Sequence, residues 1–285
     1  MYIVTGATGQ LGRLVIEQLL KVVPASQIVA AVRTPEKAAD LIALGVKVRH
    51  ADYARPETLD SAFKGAEKLL LISSSELGQR AAQHQAVIDA AKRAGVQLLA
   101  YTSVLHADTS PLGLAEEHRQ TEAALQKSAV PFVLLRNGWY TENYTAGIPA
   151  ALAHGAVFGS ADDGRISSAP RADYAAAAVA VLTAEDNQAG RTYELAGDDA
   201  YTLAEFAAEL SKQTGQPITY TDLPQADFEA ALLQAGLPNF VAALLADSDV
   251  SASKGALFDE GHQLSALLGR STVPLANTIA AELNN

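Results

Sequence analysis

The chain has 285 residues, 49% hydrophobic and 19% charged, a balance that rules out general disorder and allows one large domain or two unequal ones. With 21 basic against 32 acidic side chains the net charge is −11, and a surface of that sign argues against nucleic-acid and membrane partners. There is no cysteine, which removes disulfides, thiolate nucleophiles and cysteine-ligated metal or iron–sulfur centres.

Met1-Tyr2-Ile3-Val4-Thr5-Gly6 opens the chain without a basic stretch leading into an apolar run. The cleanest apolar stretch, 174–184, is bounded by Asp173 and Glu185 and is too short to cross ~30 Å of hydrocarbon. No membrane insertion and a cytoplasmic location are the expectation.

In chain order, Tyr2–Thr5 reads as a strand, and Leu11, Leu14, Val15, Leu19 and Val22 then share one helical face. Pro24 stops that helix and Ile28–Val32 is the second strand. A helix is expected over 35–44, entered at Pro35 and left at Gly45. Strands follow at 46–49, 68–72, 97–102 and 132–135, with helices at 56–64, 79–94 and 115–128 between them. Such alternation predicts parallel strands joined by crossover helices, hence an α/β, Rossmann-type, doubly wound parallel sheet. Leu69-Leu70-Leu71-Ile72 lacks polar alternation, as a strand covered on both faces should.

The rhythm breaks after 137. Gly, Pro and Ser cluster from 147 to 170, and helices are expected at 203–213, 226–235 and 240–246. The division expected is a dinucleotide-binding domain over 1–137, with the chain returning to it somewhere in 138–200. The remainder of 138–285 is expected to form a smaller, mostly helical substrate or cap portion at the carboxyl edge of the sheet.

Thr5-Gly6-Ala7-Thr8-Gly9-Gln10-Leu11-Gly12 links the first strand to the first helix. In that setting Gly6 permits a tight turn, Gly9 lets backbone approach a phosphate, and Gly12 lets the helix pack near the strand. The N–H groups and dipole of the helix N-terminus then face a pyrophosphate. The end of the second strand selects the dinucleotide. Where an NAD-preferring site carries an acid, this chain has Val32-Arg33-Thr34-Pro35, and a guanidinium binds a 2′-phosphate. NADPH is therefore expected, with NADH accepted more weakly.

The Thr-Gly-Ala-Thr-Gly-x-x-Gly opening and Val32-Arg33 resemble the NmrA-like branch of the atypical short-chain dehydrogenases/reductases. Ser73-Ser74-Ser75, Ala100-Tyr101-Thr102-Ser103, His118-x-x-Thr121-Glu122, Leu135-Arg136-Asn137-Gly138-Trp139-Tyr140-x-Glu142-Asn143 and Arg171-Ala172-Asp173-Tyr174 narrow the resemblance. It points to the NAD(P)H:quinone oxidoreductase type, which is also similar to bacterial triphenylmethane reductases. The resemblance implies that Gly6, Ala7, Thr8, Gly9, Gln10 and Leu11 hold the pyrophosphate and Arg33 the 2′-phosphate. Ser73, Ser74 and Ser75 would reach ribose and phosphate. Asn137, Gly138, Trp139, Tyr140, Thr141 and Glu142 would line the nicotinamide and acceptor pocket, with Arg171 nearby.

Ketone-reducing members of that superfamily use a Tyr-x-x-x-Lys pair, and neither residue occupies the pair in the 115–128 helix. This departure favours an acceptor whose reduced form needs no strong protein acid. A quinone is one: hydride addition gives an aromatic hydroquinone anion that water protonates, so stacking and proximity supply the rate. The catalytic candidates are Tyr140, with Trp139 and Tyr144 as further flat walls, Asn143 as a hydrogen-bond donor or a helix cap, and His118 as a general acid. Direct hydride transfer without flavin is expected, and no metal, since the histidines lack ligand spacing. Asp162-Asp163 and Asp247-x-Asp249 read as solvated turns, and Ser251-x-x-Lys254 as chance spacing. Two other functions remain open: reduction of another bulky aromatic acceptor, and a non-catalytic NADP(H)-sensing regulator.

Overall fold

The computed structural model describes residues 1–284. The chain forms two compact units: Met1–Ala107, Glu116–Asn137 and Arg171–Tyr193 make the first, and Asp108–Ala115, Gly138–Pro170 and the chain from Glu194 onward make the second.

The strands are β1 (Tyr2–Thr5), β2 (Ile28–Val32), β3 (Lys47–His50), β4 (Lys68–Leu71), β5 (Leu98–Val104), β6 (Phe132–Asn137), β7 (Ala156–Gly159), β8 (Thr192–Leu195) and β9 (Thr219–Asp222). Seven form one parallel sheet in the order β3-β2-β1-β4-β5-β6-β8, and the division between the units falls within β8. Tyr2 pairs with Ile28 on one side of β1 and with Lys68 on the other. The direction of winding therefore reverses at β1, and the crevice at the carboxyl ends of β1 and β4 is where such sheets take ligands.

All five residues of β2 and all seven of β5 are buried, so both faces of the sheet are covered. On one face Ile3, Val29, Leu69, Leu71, Leu99 and Tyr101 pack with Leu59, Phe63, Val87 and Ile88 from the helices Glu57–Ala62 and Arg80–Ala94 and their flanks. The helix Gln10–Leu19 buries Leu11, Val15, Ile16 and Leu19, each worth about 1.5–3 kcal/mol. It packs against the helix Arg171–Thr183, whose Ala175, Ala177 and Ala178 are buried and allow close approach. That packing holds Arg171–Tyr193 in the first unit, whereas Gly138–Pro170 does not return to it.

Three local expectations change. The helix expected over 35–44 divides into a 3-10 turn, Pro35–Ala38, and a short helix, Ala39–Ala43. The Lys37 carbonyl, at the end of the 3-10 turn, accepts from Arg13 Nη2 at 2.9 Å, and Arg13 also pairs with Asp40. β5 and β6 each run two residues further than hydropathy suggests, to Val104 and Asn137.

In the second unit β7 and β9 form a small parallel sheet, Ala156 opposite Thr219, that hydropathy did not reveal. Its helices include Leu203–Thr214, closed at one end by a Thr202/Glu205 capping box and at the other by Gly215 in the left-handed region. The helix expected over 240–246 runs from Asn239 to Ala252 and takes in Asp249. Asp249 is not in a solvated turn: it is 5% exposed and accepts from the Ser160 N–H at 3.0 Å and the Tyr144 hydroxyl at 3.3 Å. Burial pushes its carboxyl up to about 6.

Candidate dinucleotide site

β1 delivers the chain into a turn at Gly6, whose φ of +58° suits glycine, and the turn is closed by the Gly9 N–H on the Gly6 carbonyl at 2.9 Å. The helix begins at Gln10, and the first intrahelical bond runs from the Arg13 N–H to the Gly9 carbonyl at 3.0 Å. The N–H groups of Gln10, Leu11 and Gly12 therefore have no intrahelical acceptor, and they gather at the positive end of the helix. A Cβ at Gly12 would run into the Gly6 carbonyl oxygen and come within 2.7 Å of Ala7 Cα, so only glycine lets the helix start this close to the turn.

Around this turn lies a cleft of about 350 Å³ lined by Gly6, Thr8, Gly9, Gln10, Leu11, Arg33 and Ser73, Ser74 and Ser75, among others. That volume is on the scale of a small-molecule pocket. Ala7 is fully buried beneath the loop rather than lining it. Five lining residues, Ala51, Asp52, Tyr53, Glu76 and Gln83, were not singled out by sequence. Glu76 directly follows the serines, but its partner Arg33 lies 43 residues away.

The serine loop after β4 is held on every side. Ser73 N–H donates to Thr102 Oγ1 at 2.9 Å, and Ser74 N–H donates to His84 Nε2 at 2.9 Å. Arg80 Nε donates to the Ser74 carbonyl at 2.8 Å, and the Glu76 N–H to Ser74 Oγ at 3.1 Å. Because His84 Nε2 accepts, its Nδ1 carries the proton and donates to Thr121 Oγ1 at 2.9 Å. The ring is neutral: burial, with Arg80 beside it, pushes its pKa down to about 3. The Tyr53 hydroxyl oxygen lies 2.5 Å from Thr5 Oγ1 and 3.0 Å from the Ile72 carbonyl, sharing its one proton between them and tying the loop to β1.

Arg33 forms an ion pair with Glu76. The other oxygen of Glu76 accepts from Gln83 Nε2 at 2.6 Å. That bond, and then Arg33, hold the Glu76 carboxyl below its usual range.

Asn137 ends β6 with its carbonyl accepting the Leu105 N–H at 2.9 Å. Its side-chain Oδ1 is buried and meets no protein donor among the described residues. An orphaned acceptor of this kind suits an amide or hydroxyl donor on a ligand. With the open helix N-terminus and a cationic Arg33, the donor set of the first unit fits a phosphorylated dinucleotide.

Gly138, Trp139, Tyr140, Thr141, Glu142 and Asn143 belong to the second unit. Trp139 is buried and its carbonyl accepts the Ala169 N–H at 3.2 Å, while Tyr140 bridges Ala169. Thr141 Oγ1 lies 2.8 Å from Ser168 Oγ, which lies 2.7 Å from the Tyr201 hydroxyl. Asn143 sits inside the short helix Glu142–Thr145, so it is not that helix's cap. Tyr144 packs against Phe206, 6.3 Å between ring centroids, and reaches Asp249 rather than joining an aromatic wall with Tyr140. Arg171 starts the helix Arg171–Thr183 in the first unit, two residues before the fully buried Asp173.

The general-acid role expected of His118 does not fit its surroundings. The residue is 4% exposed, its Nδ1 lies 2.7 Å from the Tyr101 hydroxyl, and it is absent from the cleft lining. Burial, then Arg80 and His84, hold its pKa well below the ordinary histidine value, so the ring stays neutral. On the same helix Glu122 is taken up by a two-pronged ion pair with Arg136, 3.0 and 2.8 Å, and by Ser103. No group of three histidine, aspartate or glutamate residues suited to a metal occurs among the described residues, and no helix there is long and apolar enough to cross a membrane.

Residues 6–185 match the NAD(P)H-binding family. The chain is 60% identical over 284 residues to quinone oxidoreductase 2 of Escherichia coli (strain K12), covering 100% of this chain and 99% of that protein. The crystal structure of the E. coli NADPH-dependent quinone oxidoreductase complexed with NADPH matches with a TM-score of 0.97 over the whole of both chains. The Citrobacter sp. triphenylmethane reductase complexed with NADP(H) matches with a TM-score of 0.95 at 39% identity, covering 99% of this chain and 100% of that one. The NAD(P)H azoreductase of Xenophilus azovorans is 29% identical over 85% of this chain and 84% of its own length. The chain belongs to the NAD(P)H-binding family and is similar over its full length to quinone oxidoreductase 2.

Proposed function

We propose that this chain is an NADPH-dependent quinone reductase that works by direct hydride transfer, without flavin or metal. The observation that carries the reading is the pairing of an open helix N-terminus with Arg33 in one cleft, in a chain 60% identical over its full length to a quinone oxidoreductase. When bound, NADPH supplies the hydride. The chain's own residues bind and orient. In this reading the N–H groups of Gln10 and Leu11 hold the pyrophosphate, Arg33 holds the 2′-phosphate, and the pinned Ser73 to Ser75 loop receives ribose hydroxyls.

The Oδ1 of Asn137 accepts from the nicotinamide carboxamide, with Gly138, Thr141, Glu142 and Arg171 assigned to the cofactor. Tyr140 and Trp139 offer flat surface to the acceptor, and Asn143 donates to an acceptor oxygen. A quinone takes up one hydride and one proton to become a hydroquinone, and water supplies the proton to the weakly basic anion. That division of labour suits a chain with no Tyr-x-x-x-Lys pair and a buried, neutral His118. The compartment assigned is the cytoplasm.

The likeness to triphenylmethane reductase and to an azoreductase favours a second acceptor class, bulky aromatic dyes. NADPH oxidation against benzoquinones, naphthoquinones, triarylmethane dyes and azo dyes tests both. Turnover with quinones is expected to exceed turnover with dyes. Tight NADP⁺ binding with no turnover on any acceptor would replace the enzyme by a sensor of NADP(H).

A further inference from the structure

Arg33 follows β2 and Glu76 lies in the loop after β4, the two strands that flank β1, so their ion pair joins opposite walls of the cleft above the glycine turn. Resting on the assignment of Arg33 to the 2′-phosphate, we propose that Glu76 is a second cofactor-specificity residue. Its carboxylate competes with the 2′-phosphate for Arg33 and accepts the 2′-hydroxyl of NADH, so that the cleft admits both reductants.

The Arg33 and Glu76 side chains are 67% and 42% exposed, and an ion pair so solvated exchanges partners readily. The carboxylate does not leave when the arginine does. Gln83, itself buried, donates to its second oxygen at 2.6 Å, and the Glu76 N–H is tied to Ser74 Oγ at 3.1 Å. A carboxylate held in place beside a bound 2′-phosphate repels it, whereas beside a 2′-hydroxyl it is the acceptor that NAD-preferring sites place at this ribose. The other acid lining the cleft, Asp52, already accepts the Ala54 N–H of its own turn at 3.0 Å.

The test is Glu76→Gln, with Gln83→Met as a second variant that keeps the carboxylate but removes its hold, and Arg33→Ala alongside. KM and kcat are measured for NADPH and NADH with one quinone, and cofactor affinity is read separately by NADPH and NADH fluorescence without acceptor. Glu76→Gln is expected to raise the NADPH-over-NADH ratio of kcat/KM by about tenfold, the scale of one partly screened like-charge contact, with the same shift in affinity and a smaller one at high salt. Gln83→Met is expected to move the ratio in the same direction by less. An unchanged ratio in Glu76→Gln, in a protein whose NADPH preference Arg33→Ala abolishes, overturns this inference and leaves the 2′-phosphate assignment standing. An NADPH preference that survives Arg33→Ala overturns both.

Discussion

His84 Nε2 accepts the backbone N–H of Ser74 at 2.9 Å, which places a buried neutral imidazole directly behind the loop assigned to the cofactor ribose. His84→Ala leaves that N–H and the Thr121 hydroxyl without their partner, a loss of about 1–3 kcal/mol in stability. The loop is expected to loosen, raising KM for NADPH several-fold with little change in kcat. His84→Gln, able to accept at one end and donate at the other, is expected to restore most of the affinity. Equal KM values in all three proteins would show that the imidazole only fills space.

Arg33→Ala removes the cation assigned to the 2′-phosphate. KM for NADPH is expected to rise about tenfold to a hundredfold, as for a lost charged hydrogen-bonded contact, while KM for NADH stays within twofold (about 0.4 kcal/mol). Equal losses for both reductants in steady-state kinetics would contradict the assignment.

His118→Asn keeps an acceptor near the Tyr101 hydroxyl and removes the imidazole. The pH profile of kcat is expected to match that of the parent, because this ring is buried and neutral across the working range. Loss of an ionisation from the profile would restore His118 as the proton donor.

Asp249 gives the molecule a stability component that depends on pH. Its folded pKa of about 6 lies above that of an exposed aspartate near 3.9, so the folded state favours the protonated form. The stabilisation is fully present below about pH 4 and is lost as pH rises through about 6. Relative to Asp249→Asn, the parent is expected to lose about 2–3 kcal/mol of unfolding free energy between pH 4 and pH 7. Urea denaturation at each pH measures the difference, and a difference flat across that range would refute it.

The sheet was legible in advance because its strands are short, two-faced and apolar, and because the glycine turn declares its own geometry: Gly6 takes a left-handed φ and Gly12 stands where no side chain fits. Arg33 was legible for a similar reason, since its place one residue after β2 follows from strand order alone. β7 and β9 were not, being four residues each and partly exposed, one ending in a glycine and the other mostly polar. Asp249 was misread for a related reason: two aspartates two residues apart look solvated until Ser160 and Tyr144 are found against one of them.

Local chemistry along the chain thus determined where the tight glycine turn forms and which cation stands beside it, because backbone conformation and strand order act over a few residues. Tertiary structure alone decided the state of each titratable group. That His84 accepts from Ser74, that His118 is withdrawn from solvent, and that Glu76 stands against Arg33, 43 residues away, depend on which distant helices and loops close over them. Burial and hydrogen-bond partners are properties of packing, and no spacing rule carries them.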